Sequence, residues 1–451
     1  MFNLKLIVEW EHGFVYTKDG EHWQDGGKKM TSFRFIHTAD LHLDTPFTGL
    51  KKLPDSIFEQ IKQSTFQSFD QIVELCIRYK VDFLVIAGDI FDLEDRSLRA
   101  QIFLRSRLEK LSDHGIHTYM IHGNHDPNDQ VKAWMNWPEK VHIFSDQQVE
   151  SVIFSKDNQE LALIMGQSYP TKEFKERIVQ YYQRDKEKNL FHIGILHTNV
   201  DGNKDHDSYA PSSFKELVNQ EMDYWALGHI HKSTILSSQK PYIVYPGNHQ
   251  GRNKKEKGTK GCYIVEVKQN QVEKMDWVET SQIIWEEIEV DISQIAHMPT
   301  LIEKIEEKIE MAIEYWKKPL ILQIHLQGET ELHFELTQEI KQEELREWLN
   351  GRFEKELHWV YIDQLYVETI AFGLEKWIEK GTFLGDYINE LEIFLQETEI
   401  LDLKKEVFEE LFKNRAIKTH LPNEFVDLPE QLAKDTKNLI YQYFVREDIK
   451  R

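Results

Sequence analysis

Residues 83–92 read FLVIAGDIFD, an apolar run that ends abruptly at a Gly-Asp pair. A near-continuous apolar run of this length is typical of a strand that is buried on both faces of a sheet. Helical spacing of apolar residues flanks it at 56–79 and 97–112, and further strand-like runs lie at 33–39 and 117–121. Buried strands that alternate with helices predict an α/β fold with parallel strands.

The pattern continues downstream and then changes. Further strands are expected at 161–166, 191–196, 224–227, 242–245 and 262–267. After about residue 280 the order becomes strand 283–290, helix 301–316, strand 320–326, helix 338–349 and strand 359–367. This order is typical of a small α+β domain. Amphipathic helices are expected beyond residue 383.

The chain is therefore predicted to contain four regions. Residues 1–32 lack clear periodicity. A purine-rich ribosome-binding site could encode Gly26-Gly27-Lys28-Lys29, which favours Met30 as the native start. The predicted regions are an extension at 1–32, an α/β domain at 33–280, an α+β domain at 281–380 and a helical region at 381–451.

Composition excludes several classes of protein. Of the 451 residues, 40% are apolar and 29% charged, which excludes disordered and fibrous chains. Two cysteines are too few for a disulfide framework or a thiolate zinc site. The sequence has no signal peptide pattern and no apolar run near the ~18–20 residues of a membrane helix. These features predict a soluble protein of the cytoplasm without a membrane partner.

Metal-capable side chains follow five of the predicted strands, and the carboxyl ends of parallel strands meet at one edge of a sheet. The candidates are Asp40, His42, Asp89, Asn124, His197, His229 and His231. Oxygen and nitrogen ligands without a thiolate suit Mn²⁺, Fe²⁺ or Zn²⁺, and the oxygen content favours Mn²⁺. Seven ligands are too many for one open ion, but they suffice for two ions ~3.5–4 Å apart that share a carboxylate. Asp89 is the predicted bridge.

Other residues near these motifs have predicted roles in catalysis or substrate binding. His125 is expected to protonate a leaving oxygen or stabilise charge, and Asp126 to fix its tautomer. Asp92 is expected to cap a helix or loop. The segment 252–260 holds five bases and one acid. Its bases, Arg252, Lys254 and Lys255 among them, could contact a DNA backbone, and a solvated hairpin tip is an equally good interpretation.

The ordered pattern D-x-H … GD … GNHD … H … GHxH resembles that of the calcineurin-like metallophosphoesterases. The SbcD branch, and its YhaO-type members above all, is more similar over residues 33–267. The segments that carry this resemblance are HTADLHLDTPF, VIAGDIFD, GNHDP, LHTN, DYWALGHIHK and YPGNHQGR. The sequence departs from the GDxxDRG motif of protein phosphatases, which counts against that activity. Eukaryotic and archaeal nuclease relatives carry His where Asp92 stands, so DNA guidance to the metals can differ here.

The resemblance implies a four-layer α/β/β/α sandwich, then an α+β capping domain that guides DNA, and C-terminal helices. It implies a Mn²⁺-dependent DNA repair exonuclease or endonuclease subunit that acts on DNA ends as a homodimer with an SbcC-like coiled-coil ATPase. Residues beyond 280 carry −17 of the net charge of −22, which favours a protein partner over DNA for the last helices. Carried over from the family, one metal would take Asp40, His42, Asp89 and His231. The other would take Asp89, Asn124, His197 and His229.

Two other functions remain open at the level of sequence. A small-molecule or cyclic nucleotide phosphodiesterase could use the same metals. Alternatively, the chain could be a DNA-end-binding assembly subunit with weak activity that its ATPase partner controls.

Overall fold

In the computed structural model, buried strands and amphipathic helices alternate as predicted. The structure describes residues 31–45, 47, 50, 53–92, 97–127, 136–201 and 210–372. Nearly all of the predicted extension and the whole helical region 381–451 lie outside the described residues. The helices are α1 (Asp55–Arg78), α2 (Leu98–Asp113), α3 (Phe214–Asn219), α4 (Met298–Trp316), α5 (His333–Leu336) and α6 (Glu339–Phe353).

Fifteen strands are assigned among the described residues. They are β1 (Ser32–Thr38), β2 (Phe83–Ala87), β3 (His117–Ile121), β4 (Val141–Ile143), β5 (Glu150–Lys156), β6 (Gln159–Gly166), β7 (Phe191–His197), β8 (Tyr224–Gly228), β9 (Thr234–Ser237), β10 (Tyr242–Tyr245), β11 (Gly261–Lys268), β12 (Gln271–Glu279), β13 (Ile284–Asp291), β14 (Leu320–Thr330) and β15 (Val360–Ala371). No helix among these ranges combines the length and apolarity needed to cross a bilayer.

Two six-stranded sheets form the α/β part of the chain. The first has the order β12-β11-β1-β2-β3-β4, in which β1 to β4 are parallel to one another, β11 pairs antiparallel with β1, and β12 pairs antiparallel with β11. The second has the order β5-β6-β7-β8-β10-β9, with β6, β7, β8 and β10 parallel between antiparallel edge strands. The predicted α/β fold with parallel strands is confirmed.

Alternation along β2 shows how the layers pack. Phe83 and Val85 enter an apolar cluster shared by both sheets, whereas Leu84 and Ile86 enter a second cluster on the other face. In a strand, successive side chains point to opposite faces, so an apolar run supplies both clusters. The second cluster contains the apolar stripes of α1 and α2, whose spacing produced the helix predictions.

The outer face of the second sheet has a cover of a different kind. Trp225 and Leu227 of β8 pack there against Tyr182 and against Ile178 in the short 3₁₀ helix Ile178–Tyr181. The adjoining helix α3 has only six residues and begins with a capping box at Ser213. The layer that the α/β/β/α prediction assigned to helices is therefore largely loop in this part of the chain.

The chain divides into two compact units, each described by itself. Within the described residues, the first unit runs to residue 286 and adds 316–321 and 357–359; the second holds 287–315, 322–356 and 360–372. Within the second region, β13-β14-β15 form a three-stranded sheet, and α4 buries Leu301, Ile305 and Ile309. The predicted strand–helix order is found, with α5 as an additional short helix. The boundaries at 280 and 380 stay a prediction.

Candidate metal centre

Six of the seven predicted ligands lie in the loops after β1, β2, β3 and β8, and the seventh, His197, is the last residue of β7. Several of these residues have left-handed backbone, with φ of 52° at Asp40, 42° at His42, 49° at Asp89 and 100° at His229. Non-glycine residues rarely adopt this conformation, and such residues concentrate at functional sites. The chain thus turns sharply after β1, β2 and β8, and these turns direct the side chains towards one site.

Glycines allow the two sheets to approach each other at this end. A Cβ on Gly228 would lie 1.9 Å from the carbonyl oxygen of Ala87, on the other sheet. Gly88 has φ of 91°, and a Cβ there would lie 2.4 Å from Nδ1 of His197. Only residues without a side chain fit at these two positions, which places the His197 ring against β2.

Three of the candidates form one half of the centre. Ligand-capable atoms of Asp40, His42 and His231 all lie within 4.8 Å of one another. The Nε2 atoms of His42 and His231 are 3.3 Å apart, so both rings present the same nitrogen to the same point. Asp40 is 1% exposed, and both of its carboxylate oxygens accept from the backbone N–H of His229. We refer to Asp40, His42 and His231 as the Asp40 half.

The remaining candidates form the other half. Ligand-capable atoms of Asp89, His197 and His229 lie within 4.8 Å of one another, and all three residues are buried. The side-chain oxygen of Asn124 is 3.0 Å from Nε2 of His197 and 3.2 Å from Nδ1 of His229. We refer to Asn124, His197 and His229, with Asp89, as the His197 half.

One carboxylate oxygen lies between the two halves. Oδ2 of Asp89 is 3.3 Å from Nε2 of His197 and 3.8 Å from Nε2 of His42. The other oxygen, Oδ1, accepts from the backbone N–H of His125 and is thereby held in place. A carboxylate in this position can bridge two cations, which is the arrangement the sequence predicts.

The charges of the buried groups also fit cations. Burial raises the pKa of Asp40 above its usual range even though His231 and His197 are near. For Asp89 burial acts in the same direction, but the His197 charge and its hydrogen bond hold the pKa of Asp89 well below its usual range. Burial opposes a charge on His197, yet Asp89 raises the pKa of His197 to about 9. Cations bind such ligands by displacing their protons, so hard oxygen and imidazole donors buried together suit divalent metals.

The predicted contact between His125 and Asp126 is wrong. Asp126 is fully buried and accepts from the backbone N–H groups of Ile90 and Gly123, and it lies 3.1 Å from Nδ1 of His122. These contacts hold the loop after β3 against the loop after β2. Asp126 is therefore a structural residue of the site.

Asp92 takes the role that was expected of Asp126. Its Oδ1 is 2.6 Å from Nδ1 of His125 and 3.0 Å from Nδ1 of His42, so it orients both rings. Burial opposes the charged imidazole, but the hydrogen bond to Asp92 raises the pKa of His125. The expectation that Asp92 caps a helix is wrong, because Ser97 caps α2. Asp92 belongs to the segment Gly88-Asp89-Ile90-Phe91-Asp92, but the spacing within this segment did not indicate that Asp92 contacts His125.

Two members of the basic segment after β10, Arg252 and Glu256, lie at the site. Arg252 is 3.5 Å from Asp92 and 3.3 Å from Glu256, and its side chain is only 12% exposed. Lys254 and Lys255 are exposed. Glu256, the one acid of the segment, is 2.7 Å from Nδ1 of His231. Sequence reasoning missed Glu256 because its neighbours in the chain are basic.

Comparisons with known proteins match both regions of the chain. The sequence model of calcineurin-like phosphoesterases matches residues 33–233, and that of the middle domain of metallophosphoesterase YhaO matches 285–370. The "Uncharacterized metallophosphoesterase YhaO" of Bacillus subtilis (strain 168) is 40% identical over 299 residues, 66% of this chain and 72% of that protein.

More distant similarities were also found. The DNA double-strand break repair protein Mre11 of Sulfurisphaera tokodaii is 26% identical over 212 residues, which cover 46% of this chain and 51% of that protein. A solved dimetal phosphatase from Danio rerio aligns with 55% of this chain and 96% of its own, at 11% identity and a TM-score of 0.35.

Proposed function

Because the chain belongs to the YhaO family of calcineurin-like metallophosphoesterases, and is therefore a metal-dependent hydrolase, we propose that it is a two-metal phosphodiesterase that cleaves DNA. The observation that carries the two-metal proposal is the position of Asp89 Oδ2 between the two halves of the centre. The DNA substrate is proposed from the similarity to Mre11 proteins, which are named for DNA double-strand break repair.

Two cations would act as Lewis acids on the phosphoryl group of the substrate. We assign one to Asp40, His42, Asp89 and His231, and the other to Asp89, Asn124, His197 and His229. Mn²⁺ is the proposed metal, because three of the seven donors are oxygen ligands and no thiolate is among them, and Fe²⁺ or Zn²⁺ are the alternatives.

His125 is the proposed proton donor to the leaving oxygen. Its side chain is 43% exposed, more than the 22% of His231 and than the other three candidate ligand histidines, which are buried, so a substrate can reach it. Asp92 occupies Nδ1, so Nε2 is the nitrogen proposed to donate to a leaving group. Asp92 also stabilises the charged ring, as carboxylates do for catalytic imidazoles.

The exposed bases beside the centre are proposed to contact the DNA backbone. Lys254 and Lys255 follow Arg252 in the chain and are exposed, so they can reach phosphates at the rim of the site. Arg252 itself is held between the carboxylates of Asp92 and Glu256, and a phosphate would compete with them for its guanidinium.

The proposed assembly follows the family resemblance. We propose that the region 281–380 caps the site and guides DNA, and that 381–451 docks on an SbcC-like coiled-coil ATPase. A homodimer in the cytoplasm, acting in DNA repair, completes the proposal.

Digestion of end-labelled duplex and single-stranded DNA by the full chain, with and without Mn²⁺, tests the function. We expect Mn²⁺-dependent cleavage that Asp89→Asn abolishes and that His125→Ala lowers by about 10²–10⁴. Asp276→Asn is the matched control, since Asp276 forms an exposed ion pair with Lys274 in β12. Equal cleavage by Asp89→Asn and the parent would contradict the two-metal site.

The same preparations separate the alternative functions. Hydrolysis of bis(p-nitrophenyl) phosphate without any cleavage of DNA would favour a small-molecule phosphodiesterase. DNA binding with cleavage only after addition of an ATPase partner would favour an assembly subunit.

A further inference from the structure

The two halves of the centre are supported by different chemical groups. In the Asp40 half, Nδ1 of His42 is 3.0 Å from a carboxylate oxygen of Asp92, and Nδ1 of His231 is 2.7 Å from one of Glu256. In the His197 half, Nδ1 of His197 lies 2.9 Å from the backbone carbonyl oxygen of Ala87. A carboxylate makes the imidazole it contacts more basic than a neutral carbonyl does, and so makes it a stronger ligand.

Glu256 is built into its position by several donors. Its Oε2 accepts from the backbone N–H of Arg252 at 2.7 Å and from the side-chain amide of Asn248 at 2.8 Å. Its Oε1 faces His231 and the Arg252 guanidinium. The side chain is 8% exposed. One oxygen thus fixes the loop after β10, while the other fixes the tautomer and orientation of a ligand histidine.

Arg252 connects the two carboxylates of this support. Its guanidinium is 3.3 Å from Oε1 of Glu256 and 3.5 Å from Oδ2 of Asp92. Those two acids hold His231 and His42, which come from different sheets. The planar guanidinium can contact two carboxylates at once, which an ammonium group does less well.

We propose that Glu256 and Arg252 are positioning residues for the metal of the Asp40 half alone, with Glu256 holding His231 and Arg252 holding Glu256 and Asp92. The proposal rests on the two-metal part of the proposed function and is independent of the DNA substrate. The two metal positions are then unequal. Loss of Glu256 or Arg252 weakens the binding of the cation in the Asp40 half and leaves the binding of the other cation unchanged.

Calorimetric titration of the metal-free full chain with Mn²⁺ is the test. The parent is expected to bind two ions. In Glu256→Gln one of them is expected to bind about 10–100-fold more weakly, and the other with unchanged affinity. Glu221→Gln, which alters an exposed ion pair with Lys186 in the same unit, is the matched control and should leave both affinities unchanged.

A second variant pair and a spectroscopic signature separate positioning from general damage to the fold. Arg252→Met is expected to lower the affinity for the same ion as Glu256→Gln does. Arg252→Lys is expected to keep part of that affinity, because lysine has the positive charge of arginine but lacks its planar guanidinium. With Co²⁺ in place of Mn²⁺, the visible absorption band of only one bound ion should change in these variants.

Each outcome bears on the proposal. If Glu256→Gln bound both ions more weakly to the same extent, or bound both with the affinity of the parent, the proposal that Glu256 serves one metal position alone would be wrong. Binding of a single ion by the parent would overturn the two-metal premise as well. If Glu256→Gln lowered the affinity for only one of two ions while the parent protein failed to cleave DNA, this inference would be supported and the proposed substrate refuted.

Discussion

Replacing Gly228 by alanine should destabilise the first unit severely, because the two sheets meet backbone to backbone at this residue. The new Cβ would lie 1.9 Å from the Ala87 carbonyl oxygen, about 1.5 Å closer than the 3.4 Å of ordinary contact. It would also lie 2.9 Å from Nδ1 of His197, so the 2.9 Å contact between that ring and Ala87 is disturbed. Neither a carbonyl in a central strand nor a fully buried ring can move aside easily.

Two costs add in this variant. Overpacking of a well-packed core costs about 1–3 kcal/mol, and a buried hydrogen bond left unmade costs about 1–3 kcal/mol. We therefore expect a loss of about 2–6 kcal/mol in the free energy of unfolding, and a fall in Tm of roughly 10 °C. Urea unfolding followed by circular dichroism, on metal-free protein, measures the loss.

Gly115→Ala is the matched control for this experiment. Gly115 also belongs to the first unit and has φ of 77°, but a Cβ there would have no neighbour within 4 Å. Only the left-handed backbone is penalised, at about 1 kcal/mol. If Gly228→Ala loses no more stability than Gly115→Ala, the described approach of the two sheets is wrong.

Further predictions concern the acids of the first unit. Asp92→Asn should lower kcat for phosphodiester cleavage by about 10²–10⁴, because His125 loses the carboxylate that orients it and stabilises its charge; turnover equal to the parent's would refute that role. Burial would raise the pKa of Asp223, but hydrogen bonds and cations around it lower that pKa to about 2. Its charge therefore contributes roughly 2 kcal/mol to stability above the ordinary pKa, and the contribution is lost as pH falls through 2. Urea unfolding of Asp223→Asn should show this deficit at pH 7 and a smaller one near pH 2, and a deficit independent of pH would exclude the electrostatic cause. Removing divalent metal with EDTA should lower Tm, because the buried carboxylates of Asp40 and Asp89 then lose their counter-charge. At a free metal concentration 100–1,000 times its Kd, the free energy of unfolding should fall by about 3–4 kcal/mol on removal of the metal. Differential scanning calorimetry measures this change, and an Asp89→Asn protein should respond less.

Much of the centre could be predicted because strand ends are readable in sequence. Each apolar run indicated a buried strand, and the residues that follow a parallel strand lie at the carboxyl edge of its sheet. Asp40, Asp89 and His229 could therefore be placed close together from the sequence alone. The structure brings all seven candidates into two adjoining halves. Their roles as ligands stay a prediction.

Contacts between loops could not be predicted in the same way. Asp92 and Asp126 each lie within three residues of a predicted ligand, and no spacing rule decides which of them contacts His125. Glu256 reaches His231 across 25 residues, through a loop whose basic composition indicated a different role. Such pairings depend on the three-dimensional course of loops, which hydrophobic periodicity does not encode.

The unpredicted strands share a physical cause. β5, β9 and β12 are edge strands whose residues are mostly exposed or half-buried, and β4 has only three residues. Their stability comes from pairing with a neighbouring strand, since their own apolar pattern is weak. The buried strands β2, β7 and β8, which position the centre, were the readable ones.

The left-handed turns that carry three of the candidate ligands have a consequence for the evolution of the chain. At Asp40, His42 and Asp89 the backbone conformation suits glycine better than the residue present. Glycine at any one of them would relax the turn and could raise thermal stability while destroying the centre. Selection for thermal stability alone would therefore favour glycine at these positions, so the residues present are expected to cost stability in return for presenting their side chains to the centre.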